Sequence, residues 1–577
     1  MLIGLRLGNF KAFADTQYIP IRPLTLIFGP NSAGKSSIIH SLLLAAHAMK
    51  TGKVDVQRTE CGGDSVDLGG FRQYVYKHDL AKWVEWAATV DTLKLSGHLS
   101  AIFSSAKTLT ASSQIGLELV EQTERRRGFD RNLKQWVPQE VPTGQFLPKG
   151  DPGVRVYDIL ADEKPILRFA RRPDGKFQLI RIEYDHEAIR GLVRTLAQSF
   201  TTTDDLSQED YESLAPVFGE IAAGIHAEGG QFLLSKLVGQ ESPEGSTQPY
   251  ELHPISKGNR ADDLAQAIRL YFPRLIGELL TELERIIASQ LGSLTYLGPL
   301  RSFPPRHIGF SQGFDQNWFA GGGYAWDLIL QDSRLRGVVN QWLGSSERLQ
   351  TPYELVVREL VGLDQISGPL SGGIEGIELD IVQEGSPPGE HSDGEDPIWG
   401  IKDPESEAVR LVEKLRASHL ARLPVLSMRD KRTDIDVSHR DVGIGISQVL
   451  PVLVYALASR NKLLAMEQPE IHVHPQLQAE LGDVFITSAL GEGKNTVIVE
   501  THSEHLILRI MRRMRETAQN KLDSSLPSVK PSDVSILYIK AESSGSKVLE
   551  LRLDDEGTLL DPWPGGFFEE GFRERFA

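Results

Sequence analysis

The chain has 577 residues, of which 40% are hydrophobic and 24% charged, which is typical of a globular protein with about two to four domains. The net charge of −16 excludes nucleic-acid binding through overall charge, so any such contact needs a local basic patch. With Cys61 as the only cysteine, an intrachain disulfide is excluded. No apolar run approaches the roughly 20 residues that span a bilayer, and the N-terminus has no signal-peptide pattern. We therefore expect a cytoplasmic protein with no membrane partner.

The first 50 residues predict strands followed by a helix. Ile3, Leu5 and Leu7 alternate with other residues, and residues 23–28 form a compact apolar run that ends at a glycine. From Ser36 onward the apolar residues have helical spacing. The expected order is strand, glycine-rich loop and helix.

The middle of the chain predicts a strand-rich segment and then a helical one. Residues 84–185 contain alternating runs, with a hairpin turn at Arg172–Gly175 (RPDG). Residues 186–291 are predicted to be mostly helical, with an apolar stripe but no heptad repeat long enough for a coiled coil. The stripe consists of Leu264, Ile268, Leu275, Leu279, Leu283 and Ile286.

The C-terminal half predicts an acidic loop and two further buried strands. Residues 382–407 are acidic and rich in Pro and Gly, which indicates a mobile surface loop. Apolar strands are expected at Lys462–Met466 and Thr496–Val499.

The glycine loop matches GxxxxGK[ST]. It runs from Gly29 to Ser36 between a predicted strand and a predicted helix, which is the context that a phosphate-binding P-loop requires. Its backbone N–H groups would surround phosphate oxygens, Lys35 would lie near the β- and γ-phosphates, and the Ser36 hydroxyl suits Mg²⁺. The candidate nucleotide-binding residues here are Gly29, Asn31, Ser32, Ala33, Gly34, Lys35, Ser36 and Ser37.

Two later strands end in residues that suit phosphate and metal chemistry. The strand at Leu463–Met466 is followed by Glu467, Gln468 and, two residues on, Glu470, and a carboxylate at such a strand end can hold Mg²⁺ beside a P-loop. The strand at Thr496–Val499 leads into His502, whose imidazole we expect to contact the γ-phosphate.

A glycine-rich segment precedes an apolar helix at Val449–Leu457. Gly443, Gly445, Ser447 and Gln448 would place backbone N–H groups and a hydroxyl at a helix N-terminus, which is a possible anion site. Taken alone, this pattern is weak.

Together these segments resemble the ABC-type ATPases of the RecF, SMC and OLD-like branch. The residues that carry the resemblance are Leu7–Phe13 (LGNFKAF), the P-loop with its Asn31, Gly443–Gln448 at the position of the ABC signature, Glu467–Pro475 (EQPEIHVHP) at the Walker B and D-loop, and Thr501–Ser503 at the switch histidine. Tyr296–Arg306 and Trp563–Phe568 resemble a bacterial subfamily of predicted AAA-type ATPases often found in anti-phage defence loci. The resemblance covers roughly residues 1–80 and 291–577.

This resemblance implies a fold and a domain order. The fold is an α/β P-loop ABC-ATPase head, with a mixed-sheet core and an antiparallel β subdomain, carrying a β-rich and helical insertion. The expected parts are an N-terminal lobe at 1–90, an insertion at 91–290 and a C-terminal lobe at 291–577.

It also implies an ATPase with ATP and Mg²⁺ as cofactors. The Mg²⁺ ligands would be Ser36, Glu467 and a Q-loop glutamine, for which Gln73 is the candidate. The family places a glutamate after the Walker B acid, and this chain has Gln468 there. We therefore expect slow hydrolysis, unless Glu470 or His502 takes over the activation of water.

Two other groups of residues favour ordinary structural interpretations. His472 and His474 alternate in the D-loop-like segment without an evident third metal ligand, which favours a structural role. The basic residues outside the core favour a solvated surface, with nucleic-acid or partner binding as the alternative. They are Arg125, Arg126, Arg127, Arg131, Lys134, Arg168, Arg171 and Arg172.

The leading functional hypothesis is a soluble nucleotide switch. ATP would join two heads of this chain, with Gly445 and Ser447 of one head closing over the γ-phosphate of the other. By analogy with the subfamily, the partner would be a nuclease or another effector in an anti-phage system. The alternatives are a RecF- or SMC-like repair ATPase that binds DNA directly, an OLD-type nuclease, for which too few residues follow His502 to form a TOPRIM domain, and a transporter subunit, disfavoured by the long insertion.

Overall fold

The computed structural model describes residues 2–130, 135–198, 208–228, 232–237, 260–302, 317–346, 348–361, 381–383, 399–401 and 422–564. In chain order the strands are β1 (Leu2–Gly8), β2 (Gln17–Pro20), β3 (Leu24–Phe28), β4 (Val84–Asp91), β5 (Thr108–Asp130), β6 (Gln135–Ala161), β7 (Lys164–Arg171), β8 (Phe177–Ile182), β9 (His226–Ala227), β10 (Leu294–Leu297), β11 (Tyr353–Val361), β12 (Ile381–Gln383), β13 (Trp399–Ile401), β14 (Arg422–Asp430), β15 (Ile435–Val437), β16 (Leu463–Glu467), β17 (Thr496–Glu500), β18 (Val534–Lys540) and β19 (Lys547–Leu551).

The helices are α1 (Lys35–Thr51), α2 (Phe71–Tyr74), α3 (Gly97–Ile102), α4 (Glu187–Gln198), α5 (Gln208–Gly224), α6 (Arg260–Gly292), α7 (Gly323–Gln331), α8 (Ser333–Gly344), α9 (Ile444–Ala458), α10 (Pro475–Leu490) and α11 (Glu504–Ala518). Within the described ranges, none of these helices is both long and apolar enough to cross a membrane.

The chain divides into two compact units. The first contains Met1–Phe303, Phe314–Leu328 and Gly443–Ala577, and the second contains Pro304–Gly313 and Ile329–Val442. The predicted boundaries at 90/91 and 290/291 both fall inside the first unit. Pairing of β4 with β1 and β5 crosses the first boundary, and helix α6 crosses the second.

The core of the first unit is a six-stranded sheet in the order β10-β16-β17-β3-β18-β19. Its first five strands are parallel, and only β19 is antiparallel to its neighbour. Strands β3, β16 and β17 are buried at every position, as expected for apolar runs in a sheet covered on both faces. Helix α10 packs against β17 and β3, and α1 packs against β17. The predicted α/β core, with the P-loop between a central strand and a helix, is confirmed.

A second sheet in the same unit has eight antiparallel strands in the order β2-β1-β4-β5-β6-β7-β8-β9. It joins the N-terminal strands directly to the strands of the predicted insertion, since β4 pairs with both β1 and β5. The predicted hairpin turn between β7 and β8 is confirmed: Gly175 has a φ of 85° and its N–H donates to the carbonyl of Arg172 at 2.9 Å.

Helix α6 carries the predicted apolar stripe. Its stripe residues are buried or partly buried, and the helix packs against α1, α4 and α5. The helical part of the predicted insertion therefore shares one core with the nucleotide-binding lobe.

The second unit contains the sheet β11-β14-β15 and the pair β12-β13. Helix α8 packs on β11, and Asp332 caps its N-terminus by accepting from the N–H groups of Arg334 and Leu335 at 2.9 and 3.0 Å. The predicted mobile loop at 382–407 contains strand residues at its start and again at 399–401, because β12 pairs with β13. The remaining residues of that loop, 384–398 and 402–407, lie outside the described residues.

A buried charge cluster holds α10 against α11. Asp483 is 0% exposed and accepts hydrogen bonds from Arg509 at 2.7 Å and from Arg513 at 2.8 Å. Arg509 also donates to Glu480 at 2.8 Å. These two helices follow β16 and β17, so the cluster fixes the elements that carry the two acidic strand ends.

We expect Asp483→Ala to lower the free energy of unfolding by about 3–5 kcal/mol, because it removes the fully buried anion that Arg509 and Arg513 share. Chemical denaturation would measure this. Arg512→Ala is the matched control, since Arg512 pairs with Glu516 on the exposed face of α11 and should cost less than about 1 kcal/mol. Equal losses in the two variants would contradict a stabilising role for the buried cluster.

Candidate functional site

The loop between β3 and α1 has the backbone geometry of a phosphate cradle. Gly29, Ser32 and Gly34 have positive φ values of 144°, 61° and 96°. A Cβ atom on Gly29 would lie 2.6 Å from the carbonyl oxygen of Ile539, and one on Gly34 would lie 2.4 Å from Cβ of Ala12. Glycine is therefore required at both positions by conformation and by space.

The predicted P-loop residues divide into an exposed crest and a buried base. Asn31 and Ser32 are exposed, whereas Ala33, Lys35 and Ser37 are buried. Lys35 donates through Nζ to the carbonyls of Gly29 at 3.1 Å and Pro30 at 2.9 Å. Burial lowers the pKa of Lys35, and the nearby Glu500 opposes that shift. The ammonium group thus lies under the loop, where a phosphate would be received.

Glu500 is the carboxylate in direct contact with the P-loop. It is the last residue of β17, and the Ser36 hydroxyl donates to its Oε2 at 2.7 Å. Its Oε1 lies 4.0 Å from Nζ of Lys35. Burial, followed by the charge of Glu467, raises the pKa of Glu500 to about 7. Sequence reasoning missed this residue, although it ends an apolar strand that was predicted next to the Walker B strand.

Glu467 ends β16 and lies directly opposite Glu500 in the parallel register. Its Oε1 accepts a hydrogen bond from the Tyr296 hydroxyl at 3.1 Å and lies 3.4 Å from Nε2 of His40. The other ring nitrogen of His40 lies 2.6 Å from Nζ of Lys11. Glu467 is therefore held by side chains from β10, α1 and the loop after β1.

Burial shifts the pKa values of two groups near Glu467. Burial, with the adjacent Glu467 charge, raises the pKa of Tyr296, so the phenol remains a donor at neutral pH. Burial lowers the pKa of Lys11 to about 8. Tyr296, His40 and Lys11 were not predicted as site residues. Tyr296 and Lys11 occur in the motifs that carried the family resemblance, but without an assigned role.

Gln468 and Arg301 tie the strand ends together. Gln468 has a φ of 47°, and its N–H donates to the carbonyl of Glu500 at 2.8 Å. The buried Arg301 guanidinium donates hydrogen bonds to the carbonyls of Glu467, Gln468 and Gln448, each at 3.4 Å. Burial lowers the pKa of Arg301 to about 10. Arg301 was not predicted as a site residue, yet it links the Walker B end to the first turns of α9.

Glu470 and His502 meet near Lys35. The His502 N–H donates to Oε1 of Glu470 at 2.5 Å, and burial raises the pKa of this carboxyl. Burial, followed by the charge of Lys35, lowers the pKa of the His502 imidazole. Within the described part of the chain, Nε2 of His502 and Oε2 of Glu470 are buried without a hydrogen-bond partner. A neutral imidazole with a free ring nitrogen beside Lys35 is suited to meet a phosphate.

The predicted signature segment lies at the N-terminus of α9. Gly443 and Ile444 are exposed, and a Cβ on Gly445 would lie 2.9 Å from the carbonyl oxygen of His472. Ser447 and Gln448 are 4% and 5% exposed, because the second helical turn packs into the core. The part of the segment open to a ligand or partner is therefore its glycine-rich start.

Three other predicted residues lie in less informative positions. Gln73 is exposed on the short helix α2, and among the described residues no side-chain hydrogen bond of its amide is found. His474 caps α10 by accepting from the N–H of Gln476 at 3.3 Å, and His472 is exposed with a φ of 61°. The structure thus gives His474 a structural role, while Gln73 stays a prediction.

The predicted basic clusters are partly accounted for by internal pairs. Arg168 forms a bidentate interaction with Asp158 at 2.7 and 3.0 Å, and Arg172 lies 3.3 Å from His226. The side chains of Arg125–Arg127, together with Arg131 and Lys134, lie outside the described residues.

The arrangement suits Mg²⁺ bound together with phosphate. Ser36, Glu467 and Glu500 offer hard oxygen donors, and Mg²⁺ is usually held by one or two carboxylates plus substrate phosphates. No group of three or more His, Cys, Asp or Glu residues in the described ranges forms a metal site by itself. The nucleotide would therefore supply part of the coordination.

Comparison with known proteins agrees with a nucleotide site. A family model described as an AAA domain matches residues 5–135, which include the P-loop, and one described as an AAA ATPase domain matches residues 393–507, which include Glu467 and His502. A third, described as a protein of unknown function (DUF3696), matches residues 529–575. No curated protein matches the chain.

Solved structures that resemble the chain include three SMC heads. A crystal structure of an Smc head bound to the C-winged helix domain of ScpA has 10% identity and a TM-score of 0.33, covering 96% of this chain and 98% of that chain. A head with an extended coiled coil bound to the C-terminal domain of ScpA, from Pyrococcus furiosus, gives 10%, 0.31, 96% and 96%, and the Thermotoga maritima head gives 8%, 0.30, 96% and 99%. These scores carry no functional conclusion. The two domain matches and the P-loop geometry show that the chain is a P-loop ATPase.

Proposed function

We propose that this chain is a Mg²⁺-dependent ABC-type ATPase head that works as a slow, ATP-controlled association switch. The observation that supports it best is that three features meet at one sheet edge: a phosphate cradle, the Lys35 ammonium beneath it, and two strand-end carboxylates, one of which accepts from the Ser36 hydroxyl. Their common task is to hold a nucleotide phosphate together with a divalent cation.

Each residue has a distinct part in this function. The loop N–H groups and Lys35 bind phosphate oxygens, and Ser36 with the carboxylates holds Mg²⁺, which would neutralise charge on the β- and γ-phosphates. His502, kept neutral by burial, would donate from its ring to the γ-phosphate. Arg301 would pass the state of the Walker B end to α9, because it contacts the backbone of both.

Slow turnover follows from the residue at position 468. A glutamate there would accept a hydrogen bond from the attacking water and increase its nucleophilicity, which contributes typically about 10²–10⁴-fold in rate. The amide of Gln468 can position water but offers little basicity. Glu470 is the competing base: its Oε1 accepts from the N–H of His502, and its Oε2 has no hydrogen-bond partner among the described residues.

Association of two heads is supported by the exposed start of α9. Backbone N–H groups at a helix N-terminus favour anions, and Gly443 and Ile444 leave that end accessible. A second head could therefore approach with its bound nucleotide. The burial of Ser447 moves the expected contact from this side chain toward the glycine-rich start of the segment.

The predicted anti-phage role, nuclease partner and direct DNA binding stay predictions, since no described contact bears on them. The gene next to this one in its genome is a simple test of the first two: a nuclease gene there would favour the defence role, and a replication or repair gene would disfavour it.

We expect Lys35→Ala to weaken ATP binding by about 10- to 100-fold, since hydrogen bonds to a charged group contribute about 1.5–3 kcal/mol. Titration with a fluorescent ATP analogue would measure the affinity, and a melting curve would show that the variant remains folded. Lys53→Ala, just beyond α1 and exposed, is the control and should bind normally. Wild-type affinity in Lys35→Ala would remove the basis for the proposed site.

We expect Gln468→Glu to raise the steady-state rate of phosphate release by about 10-fold or more, because it restores a base next to the Walker B acid. The change is isosteric and keeps the backbone contact to Glu500. Gln519→Glu, at the exposed C-terminal end of α11, is the charge-matched control and should leave the rate unchanged. If Glu470 is the base, Glu470→Gln abolishes turnover and Gln468→Glu has no effect or lowers it.

We expect Ile444→Glu to prevent ATP-dependent association without weakening ATP binding by a single head. Ile444 is 49% exposed at the first position of α9. An acidic side chain there is stabilised by the helix dipole but repels an incoming phosphate. Light scattering with a slowly hydrolysed ATP analogue would measure it, with Ile444→Gln as the neutral control. An oligomeric state that nucleotide does not alter in the wild type, or equal association of the Glu variant, would count against the two-head site.

A further inference from the structure

We propose that Glu500 is the protein carboxylate that binds Mg²⁺ directly beside Ser36, with Glu467 held behind it in a supporting position. This rests on the proposed function, because the metal would arrive with the nucleotide. It assigns to β17 a role that the Walker B strand and Gln73 were predicted to fill.

The hydrogen bonds distinguish the two carboxylates. Ser36 Oγ is the hydroxyl expected to bind Mg²⁺, and it lies 2.7 Å from Oε2 of Glu500. A cation that replaced this hydrogen bond would have Oγ of Ser36 and Oε2 of Glu500 both facing it. No hydrogen bond between Ser36 and Glu467 is found among the described residues, although β16 and β17 end at the same level of the sheet.

Glu467 is held by a different set of side chains. Its Oε1 receives the Tyr296 hydroxyl and faces His40, which is backed by Lys11. These contacts engage one oxygen of the carboxylate with side chains other than Ser36. Glu467 could then act through a water on the metal or through its charge.

Charge also favours a cation at this place. Glu467 and Glu500 are 5% and 3% exposed and stand side by side at the ends of paired strands. Lys35 approaches Glu500 only at 4.0 Å, and it also donates to two loop carbonyls. Lys11 reaches Glu467 only through His40. Two buried neighbouring carboxylates with no closer ammonium are better compensated when a divalent ion lies between Ser36 and Glu500.

The chain geometry fixes Glu500 in this position. Its carbonyl accepts the N–H of Gln468, and the next residue, Thr501, donates its N–H to the carbonyl of Ile27 in β3. The backbone of Glu500 is therefore pinned on both sides, between the Walker B strand and the strand that leads into the P-loop. A side chain placed so firmly against Ser36 is suited to a ligand that needs defined geometry.

The test is the Mg²⁺ dependence of nucleotide binding by the full chain. A fluorescent ATP analogue is titrated at a series of free Mg²⁺ concentrations, and also in EDTA, for the wild type, Glu500→Gln and the control Glu85→Gln. Glu85 is a partly exposed acid on β4 that pairs with Arg6. We expect Glu500→Gln to need at least about 10-fold more Mg²⁺ for half-maximal enhancement of binding, with no loss of affinity in EDTA.

Mn²⁺ binding followed by electron paramagnetic resonance gives a second readout that does not depend on turnover. Glu500→Gln should bind Mn²⁺ with the ATP analogue more weakly than the wild type, and Glu500→Asp, which retains the charge on a shorter side chain, should fall between them. Glu500→Asp also serves if the Gln variant does not fold.

The outcomes separate the inference from the function on which it rests. Wild-type Mg²⁺ and Mn²⁺ dependence in Glu500→Gln overturns the assignment while leaving the ATPase function intact, and lost turnover with unchanged metal dependence would make Glu500 a base instead of a ligand. Failure of the wild type to bind the ATP analogue at all would contradict the proposed function itself.

Discussion

The site depends on the parallel register between β16 and β17. That register places Glu467 directly opposite Glu500, and the adjacent pairing of β17 with β3 brings the same sheet edge to the start of the P-loop. The carboxyl ends of parallel strands lie at one edge of a sheet. The ends of β16, β17 and β3 therefore meet there, although they are far apart in the chain. A shift of one residue in either pairing would turn one of the carboxylates toward the other face.

Backbone hydrogen bonds then make this edge a single mechanical element. Gln468 is bonded to Glu500, Thr501 to Ile27, and Arg301 to carbonyls on both the Walker B end and α9. A displacement caused by phosphate binding at Lys35 or His502 would therefore be transmitted to the start of α9 through few intervening residues. The proposed association switch depends on this connection.

The antiparallel sheet and α6 form a large shared core with this edge rather than a separate appendage. Strand β4 continues the sheet of β1 into β5, and α6 packs against α1, the helix that begins at Lys35. The helix that presents the P-loop is thus supported from residues far along the chain. Strand pairing and helix packing therefore connect the β-rich segment to the nucleotide site.

The amino-acid sequence was enough to predict the P-loop, the strands that end at Glu467 and near His502, the hairpin turn at Arg172–Gly175 and the apolar stripe of α6, because each depends on local spacing or on glycine geometry. It did not determine the contact of Glu500 with Ser36, the enclosure of Glu467 by Tyr296 and His40, or the burial of Ser447. Those depend on which strands become neighbours and in which register, and such pairings join residues that lie hundreds of positions apart. The continuity of the sheet across residues 90 and 91 was missed for the same reason: a change of local pattern marks a new segment, but only strand pairing decides whether it begins a new domain.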